Sequence, residues 1–380
     1  MNSAQILDRL ISFATVSRDS NLPLIEYVRD FLAARGVASR LYMDSAGGKA
    51  NLYASIGPAE QAGILLSGHT DVVPVDGQKW SSAPFQLRQR GDLLYARGAA
   101  DMKGFLACAL RAADRATART LRLPLQLAFS YDEELGCLGV RSLIDDMALW
   151  SHRPRFCIVG EPTLLRTAVG HKGKSALRAI CHGRAAHSAR PDHGINAIHM
   201  ATDLINRLRL RQAGIAQAGT RDDAYEVPYT TVHVGVIAGG TALNIVPERC
   251  EFEFEIRNLP GDDPTALVSA MRADAQAIAE SMTGDAATRI ELELSNQYPA
   301  LDTAPDAEVV ELAAALTGNR ERIKVGFGSE AGLFSSLLGV PTVVCGPGSI
   351  DQAHRPDEFI AMDQLLRCDA MMDALLERLT

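Results

Sequence analysis

Residues 63–74 of the chain are G-I-L-L-S-G-H-T-D-V-V-P, an apolar run of strand length that leads directly into polar residues. Two later segments have the same character, LQLAFSY at 125–131 and FCIV at 156–159. Stretches with the apolar spacing of amphipathic helices, near 102–118 and 138–147, separate these runs. Apolar strands that alternate with helices predict an α/β sheet with both faces covered.

The order of elements changes near Gly173. We expect a strand, a helix, two strands, a helix and a strand there, at 174–182, 194–210, 229–237, 249–257, 263–281 and 288–294. This βαββαβ order is the ferredoxin-like arrangement, which forms a compact unit by itself. The α/β character then returns, with elements expected at 306–317, 323–326, 340–344 and 362–379. The predicted architecture is a split α/β domain, 1–173 and 295–380, with an inserted ferredoxin-like α+β domain, 174–294.

Length, charge and cysteine content narrow the class of protein. A chain of 380 residues suits two domains, and its formal charge of −8 argues against the basic footprint of a nucleic-acid-binding protein. Seven widely spaced cysteines without a C-x-x-C pair argue against a zinc finger or a disulfide framework and favour a reducing compartment. Asp8 and Arg9 interrupt the N-terminal segment where a signal peptide needs an apolar stretch, and no apolar run is long enough for a membrane helix. We therefore expect a cytoplasmic location.

Acidic residues and histidines lie where the predicted strands end. His69 and Asp71 follow the first apolar run, Glu133 and Glu134 the second, and Glu161 the third. Because ligands bind at the carboxyl ends of strands in open α/β sheets, we expect these side chains to share one rim. Taken alone, such a histidine is more often a surface residue, and adjacent glutamates usually belong to a solvated loop. Their common position favours a binding site.

Asp101 and His354 extend this group from two other segments. Asp101, in RGAADMKG, precedes a helix and by itself is most simply its N-cap, whereas His354, in DQAHRPDE, follows a Gly-Pro-Gly turn. Imidazole and carboxylate without thiolate suit zinc, cobalt or manganese. Three carboxylates and a bridging hydroxide balance the charge of two divalent cations. Asp71 stands two residues beyond His69, where it can accept the ring N–H that a metal leaves free.

Motifs along almost the whole chain resemble the acetylornithine deacetylase family. They include GHTDVVPVDGQKW, RGAADMKG, SYDEELGCLGV, VGEPT, GRAAHSARPDHGINAI, GGTALNIVPERCEFEFEIR and GFGSEAGLF. The resemblance implies two zinc ions per subunit, with cobalt or manganese as substitutes, one bound by His69, Asp101 and Glu161 and the other by Asp101, Glu134 and His354. It also implies that Glu133 is the general base in hydrolysis of an N-acyl amino acid, N-acetyl-L-ornithine in the first instance.

Four further residues are candidates for the reaction or for substrate binding. The resemblance implies that the split domain is catalytic and that the insert is a dimerisation or lid domain. His187, in GRAAHSA, lies in the predicted insert, and the resemblance implies that it stabilises the oxyanion in the neighbouring subunit of a homodimer. Without that resemblance it is a surface histidine. Arg257 can clamp a substrate α-carboxylate, Asn244 can donate an amide hydrogen bond, and Glu330, in GFGSEAG, can offset an ornithine ammonium.

Two other functions compete with this expectation. The same metals and fold can serve an N-acyl-amino-acid deacylase for acetylcitrulline or succinyl-diaminopimelate, or a dipeptidase. Outside the enzymes, the chain can be a metal-free binding protein that kept the fold. The presence of Glu133, which such a protein has no need to keep, counts against the last alternative.

Overall fold

A computed structural model describes residues 1–282 and 287–380. They form two compact units. The first unit comprises Met1–Gly170, Leu301–Lys324 and Ser329–Thr380, and the second comprises His171–Ala300 and Val325–Gly328. None of the helices in these residues is long and apolar enough to cross a membrane.

The elements alternate between helix and strand through most of the first unit. Up to residue 171, the helices are α1 Ser3–Ile11, α2 Leu22–Ala33, α3 Gly104–Ala116 and α4 Val140–Met147, and the strands are β1 Ser39–Met43, β2 Ala50–Ile56, β3 Ile64–His69, β4 Arg88–Arg90, β5 Leu93–Tyr95, β6 Leu125–Ser130, β7 Phe156–Pro162 and β8 Thr167–His171. The next segment contains β9 Gly173–His182, β10 Ala186–His187, α5 Ala197–Ala218, β11 Thr231–Gly239, β12 Ile245–Val246, β13 Arg249–Asn258, α6 Pro264–Met282 and β14 Arg289–Tyr298. The last contains β15 Leu301–Asp302, α7 Glu308–Thr317, β16 Arg322–Val325, α8 Ala331–Leu338, β17 Thr342–Gly346, β18 Phe359–Ala361 and α9 Met362–Leu379.

A mixed sheet forms the framework of the first unit. Its strand order is β1-β2-β6-β3-β7-β17-β8-β15, with β16 paired to β8. The central strands β6, β3, β7 and β17 are parallel, and every residue of β3, β6 and β7 is buried. Continuous burial explains why these strands are apolar throughout instead of alternating. The predicted α/β class is confirmed.

Helices cover the sheet and bury their apolar faces against it. Helix α3 packs against both α1 and α9, and its buried residues join a core that includes Leu10, Phe105 and Leu375. Helix α1 begins with a capping box in which Asn2 and Gln5 satisfy each other's backbone N–H groups. This capping box fixes where the helix begins, so that its apolar face is turned to the core.

A four-stranded antiparallel sheet forms the second unit. Its order is β11-β13-β9-β14, and helices α5 and α6 pack on it around residues such as Leu204, Phe252 and Met271. Along β13 the buried residues alternate with more exposed ones, as expected for a sheet with one face covered. The elements follow the βαββαβ order, and α5 extends eight residues beyond the expected end at 210, to Ala218.

Some elements were not expected from the sequence. No element was expected between 326 and 340, but helix α8, Ala331–Leu338, lies there. Strand β2 lies antiparallel to both β1 and β6, so the sheet is mixed at this side. Helix α8 has only eight residues, and helices of this length take their conformation mainly from tertiary packing.

Candidate metal centre

The carboxyl ends of three parallel strands bring acidic and imidazole side chains to one edge of the first unit. His69 is the last residue of β3, Glu161 lies near the end of β7, and Glu133 and Glu134 follow β6. The ligand atoms of His69, Glu133 and Glu161 all lie within 4.8 Å of one another. Those of His69, Asp101 and Glu134 form a second group of the same kind. Residues far apart in sequence thus converge where the parallel strands end.

Asp101 faces two histidines with its two carboxylate oxygens. Its Oδ1 lies 3.1 Å from Nε2 of His69, and its Oδ2 lies 3.2 Å from Nε2 of His354. The alternative role as N-cap of α3 is not adopted, because the cap position is occupied by Lys103 and Asp101 lies in the preceding turn with non-helical backbone angles. The carboxylate is therefore free to face the histidines.

The remaining members of the group surround these contacts. His354 Nε2 lies 3.2 Å from Glu134, and His69 Nε2 lies 3.9 Å from Oε1 of Glu161. That Glu161 oxygen is buried and has no hydrogen-bond partner among the described residues. Buried polar atoms without a partner are rare, and a carboxylate oxygen aimed at imidazole and other carboxylates suits a cation. The five residues His69, Asp101, Glu134, Glu161 and His354 fit a metal site by chemistry and by position.

Two glycines allow the segment that carries Asp101 to approach the strands closely. A Cβ atom at Gly68 would lie 2.5 Å from the Met102 side chain, and one at Gly160 would lie 2.0 Å from the Phe105 ring. Each glycine directly precedes a proposed ligand in its strand. A side chain at Gly160 would push the helix away from the sheet, and Asp101 with it, whereas one at Gly68 would have to displace the flexible Met102 side chain.

Asp71 supports this group of residues through hydrogen bonds. Nδ1 of His69 lies 2.9 Å from the backbone oxygen of Asp71 and 3.5 Å from its carboxylate, so the backbone oxygen is the closer partner. The carboxylate instead accepts the hydroxyl of Ser17 at 2.7 Å and the backbone N–H groups of Glu133 and Glu134 at 3.2 and 3.3 Å. Asp71 therefore orients the histidine and the loop that carries both glutamates.

Burial and mutual charge together set the pKa values of the group. Burial alone would lower the pKa of His69, but Asp101 and Asp71 hold it well above its usual value. Burial would likewise raise the pKa of Asp101, yet hydrogen bonds to His354 and His69 keep it below the usual range. Burial raises the pKa of Glu133 to about 8, opposed by His69 and reinforced by Glu134. A proton-accepting carboxylate with a raised pKa is what a general base near neutral pH requires.

Two predicted residues of the second unit, His187 and Asn244, lie near each other on its surface. His187 pairs with Ile245 across the short β10-β12 ladder, and the backbone N–H of Ser188 donates to the backbone oxygen of Asn244. His187 and Asn244 are both exposed. The ladder therefore brings these two candidate residues together within one unit.

Arg257 has partners of its own in the second unit. Its guanidinium donates to both oxygens of Glu255, at 3.0 and 3.1 Å, and to the hydroxyl of Tyr298 at 2.9 Å. A substrate carboxylate that binds Arg257 has to compete with Glu255 for the same donors.

Glu330 is buried in the first unit, at the start of helix α8. Its Oε2 accepts a hydrogen bond from Ser67 at 3.3 Å, while Oε1 has no hydrogen-bond partner of standard geometry among the described residues. Burial raises its pKa to about 7. The Glu330 side chain is only 1% exposed.

Sequence reasoning missed three residues that the structure brings to this site. Cys137 lies with its thiol 3.4 Å from Oε1 of Glu133, and burial raises the pKa of the thiol well above its usual value. Glu358 and Arg97 form a fully buried ion pair at 2.8 Å beside the Asp101 segment. A usable signal was present, since Arg97 precedes Asp101 by four residues and Glu358 follows His354 by four.

Comparison with known proteins identifies the family. The family model described as peptidase family M20/M25/M40 matches residues 65–378. The chain belongs to peptidase family M20/M25/M40. This M20 chain is 36% identical to an acetylornithine deacetylase of Myxococcus xanthus over 96% of its length and 94% of the relative's. It is 35% identical to an acetylornithine deacetylase of Pasteurella multocida, over 94% and 93% of the two chains.

Solved structures of two peptidases share the fold. An M20 family metallo-carboxypeptidase from Sulfolobus solfataricus superposes with a TM-score of 0.79 at 20% identity, covering 99% of both chains. A tripeptidase from Staphylococcus aureus superposes with a TM-score of 0.78 at 21% identity, covering 100% of this chain and 98% of the other. Family membership and the ligand group together establish this M20 chain as a metal-dependent hydrolase of amide bonds.

Proposed function

We propose that the chain hydrolyses N-acetyl-L-ornithine to L-ornithine and acetate in arginine biosynthesis. The observation that carries this proposal is the carboxylate of Asp101, which faces His69 with one oxygen and His354 with the other. That arrangement suits a carboxylate shared by two cations. The substrate is supported by relatives named acetylornithine deacetylase, which align with almost the whole chain.

The proposed cofactor is a pair of zinc ions. One is assigned to His69, Asp101 and Glu161, and the other to Asp101, Glu134 and His354. Imidazole nitrogen and carboxylate oxygen suit zinc, and cobalt or manganese can substitute. When bound, such a pair lowers the pKa of water from about 15.7 to about 7 and polarises the acyl carbonyl.

Glu133 is the proposed general base. Its carboxylate lies in the same group as His69 and Glu161, and its raised pKa favours uptake of a proton. It takes a proton from the attacking water and then delivers that proton to the leaving amine. General acid–base assistance of this kind contributes about 10²–10⁴-fold to a rate.

The second unit is proposed to dimerise and to act as a lid. Its terminal strand β11 exposes Val236 and Ile237 at 58% and 52%, and Leu243 on the following loop is fully exposed. Exposed apolar side chains on a terminal strand favour pairing with another chain, and a second copy is the commonest partner. In that homodimer, His187 of one subunit donates a hydrogen bond to the oxyanion formed in the other.

Three residues are proposed to bind the substrate. Arg257 binds the α-carboxylate in exchange for Glu255, and Asn244 donates an amide hydrogen bond beside His187. Glu330 receives the ornithine side-chain ammonium, which would satisfy the oxygen that lacks a partner among the described residues. The proposed location is the cytoplasm, which suits the seven free cysteines.

A combined metal and substrate analysis tests the proposed function. We expect about two zinc ions per chain by elemental mass spectrometry, and the highest kcat/KM for N-acetyl-L-ornithine. The comparison substrates are acetylcitrulline, acetylmethionine, succinyl-diaminopimelate and a dipeptide. Glu330→Gln should lower kcat/KM for acetylornithine much more than for acetylmethionine, whose side chain carries no charge. A chain that prefers another substrate in this panel overturns the substrate assignment, and a chain without bound metal overturns the proposal as a whole.

A further inference from the structure

Glu358 is a buried carboxylate that the proposed reaction does not use, and it is 1% exposed. Its Oε1 accepts the backbone N–H groups of Ala100 and Asp101 at 2.9 and 3.1 Å. Its Oε2 accepts the backbone N–H of Gly98 at 3.0 Å and Nη1 of Arg97 at 2.8 Å. One side chain thus satisfies four donors of the segment that carries Asp101.

Further hydrogen bonds join the same two segments. The backbone N–H of Ala96 donates to the backbone oxygen of Glu358 at 3.0 Å, and Arg97 donates to that of Arg355 at 3.3 Å. Gln78 donates to the backbone oxygen of His354 at 3.2 Å and accepts Nη2 of Arg97 at 2.7 Å. The segment of Asp101 is therefore tied at several points to the segment of His354.

The backbone around Asp101 depends on such a partner. Asp101 and Met102 have non-helical angles inside the turn that precedes α3, so their neighbours cannot all use helical hydrogen bonds. Buried backbone N–H groups need acceptors, and a carboxylate is a stronger acceptor than a neutral group. Glu358 supplies that acceptor from the same segment as His354.

We propose that Glu358 is a positioning residue that holds the Asp101 carboxylate between His69 and His354 and thereby sets metal affinity. The inference rests on the proposed function, because it requires Asp101 to be a metal ligand. Glu358 acts through the backbone and through Arg97, and it does not itself touch the metals or the substrate. Residues that orient metal ligands in this way typically contribute about 10–100-fold to metal affinity.

Metal binding to substituted chains tests this role. Glu358→Gln removes the charge and replaces one acceptor with a donor, while Glu358→Asp keeps the charge and shortens the reach. Asp369→Asn is the matched control, because Asp369 is a partly buried carboxylate that pairs with Arg111 and Ser3 in another part of the unit. Each apoprotein is checked for folding by circular dichroism and thermal unfolding, then titrated with Zn²⁺ against a chelator and with Co²⁺ by visible absorption.

We expect both Glu358 variants to bind the metals about 10–100-fold more weakly and to give altered Co²⁺ spectra. Asp369→Asn should keep the wild-type affinity and spectrum even if its unfolding temperature falls. If Glu358→Gln does not fold, Glu358→Asp decides the question by the same measurements. Wild-type affinity and spectrum in a folded Glu358 variant overturn the positioning role alone. An equal loss of affinity in Asp369→Asn also overturns it, and a wild-type chain that binds no metal overturns the proposed function with it.

Discussion

The backbone N–H of Glu133 donates to the carboxylate of Asp71 at 3.2 Å. The same carboxylate accepts the N–H of Glu134 at 3.3 Å and lies 3.5 Å from Nδ1 of His69. Asp71 therefore supports the proposed base, Glu133, together with two proposed ligands. These are Glu134 on the loop after β6 and His69 at the end of β3. Their relative positions depend on a residue that need not contact the metals.

Asp71→Asn should weaken metal binding and lower kcat together. The amide keeps one acceptor but presents a donor toward the backbone N–H groups of the glutamate loop, so the loop loses part of its support. We expect about 10–100-fold losses in metal affinity or activity, as for other residues that orient metal ligands. Chelator competition and steady-state kinetics measure both. Ser17→Ala is the control, since it removes only a hydroxyl donor to Asp71 and should change either quantity much less.

Glu133→Ala should separate catalysis from metal binding. Glu133 is proposed to move the proton, whereas the metals are assigned to other residues, so the variant should retain about two metal ions. We expect kcat to fall by at least about 10²-fold. Elemental analysis and kinetics of the same preparation check both statements. Near-normal kcat in this variant would exclude Glu133 as the base.

His354→Ala and Glu134→Ala should each lose mainly one metal ion. The two side chains are 3.2 Å apart and are assigned to the same metal, while His69 and Glu161 are assigned to the other. Metal content per chain after dialysis is the measurement. Loss of both ions, or of neither, from either variant would contradict the proposed division of ligands.

The metal-free chain should lose stability as the pH rises. Burial raises the pKa of Glu133 to about 8 from 4.5, and contacts with Asp101 and Glu134 raise that of His354 to about 10 from 6.5. A group with a higher pKa when folded contributes stability that is complete below its unfolded pKa and is lost as the pH rises through its folded pKa. The lowered pKa of Asp101 acts only below about 3.8, outside this window. Burial lowers the pKa of Lys103 to about 7 and that of His171 to about 4, so these two groups act in the opposite direction within the window. The raised pKa of Glu330, about 7, adds to the effect of Glu133 and His354, so we expect the net change to be a loss of stability.

Thermal unfolding between about pH 5 and 9 measures this effect. The unfolding temperature of the metal-free chain should fall across that range. With zinc bound, the cations replace the protons on these side chains, and metal binding strengthens as the ligands deprotonate. The fall in unfolding temperature with pH should therefore be smaller or reversed. A metal-free chain whose unfolding temperature rises with pH would show that other groups dominate.

Mixed subunits test the role of His187 across a dimer. His187→Ala should lower kcat by about 10²–10³-fold, as loss of one oxyanion donor does. When it is mixed with Glu133→Ala, one of the two sites in the heterodimer has both groups intact, so activity should return. Subunit exchange is verified first with differently tagged chains. A mixture that exchanges but stays as inactive as its parents would show that His187 does not act on the neighbouring subunit.

Much of the fold followed from local pattern. The apolar runs that became β3, β6 and β7 lie close to their expected places, because strands buried on both faces must be apolar along their whole length. Helix α8 was missed because its eight residues, Ala331–Leu338, lie in a segment whose glycines suggested a loop. Short elements of this kind depend on the surfaces against which they pack.

The sequence alone determined which residue types lie at the strand ends, because a buried strand is recognisable as a run of consecutive apolar residues. Asp101 remained ambiguous at that level, since a single aspartate before a helix has a sufficient explanation as a cap. Only the tertiary structure turned its carboxylate toward His69 and His354 and placed Glu358 against its backbone. Distances between atoms on separate segments depend on how strands and helices pack, and close approaches such as that of Phe105 to Gly160 decide them.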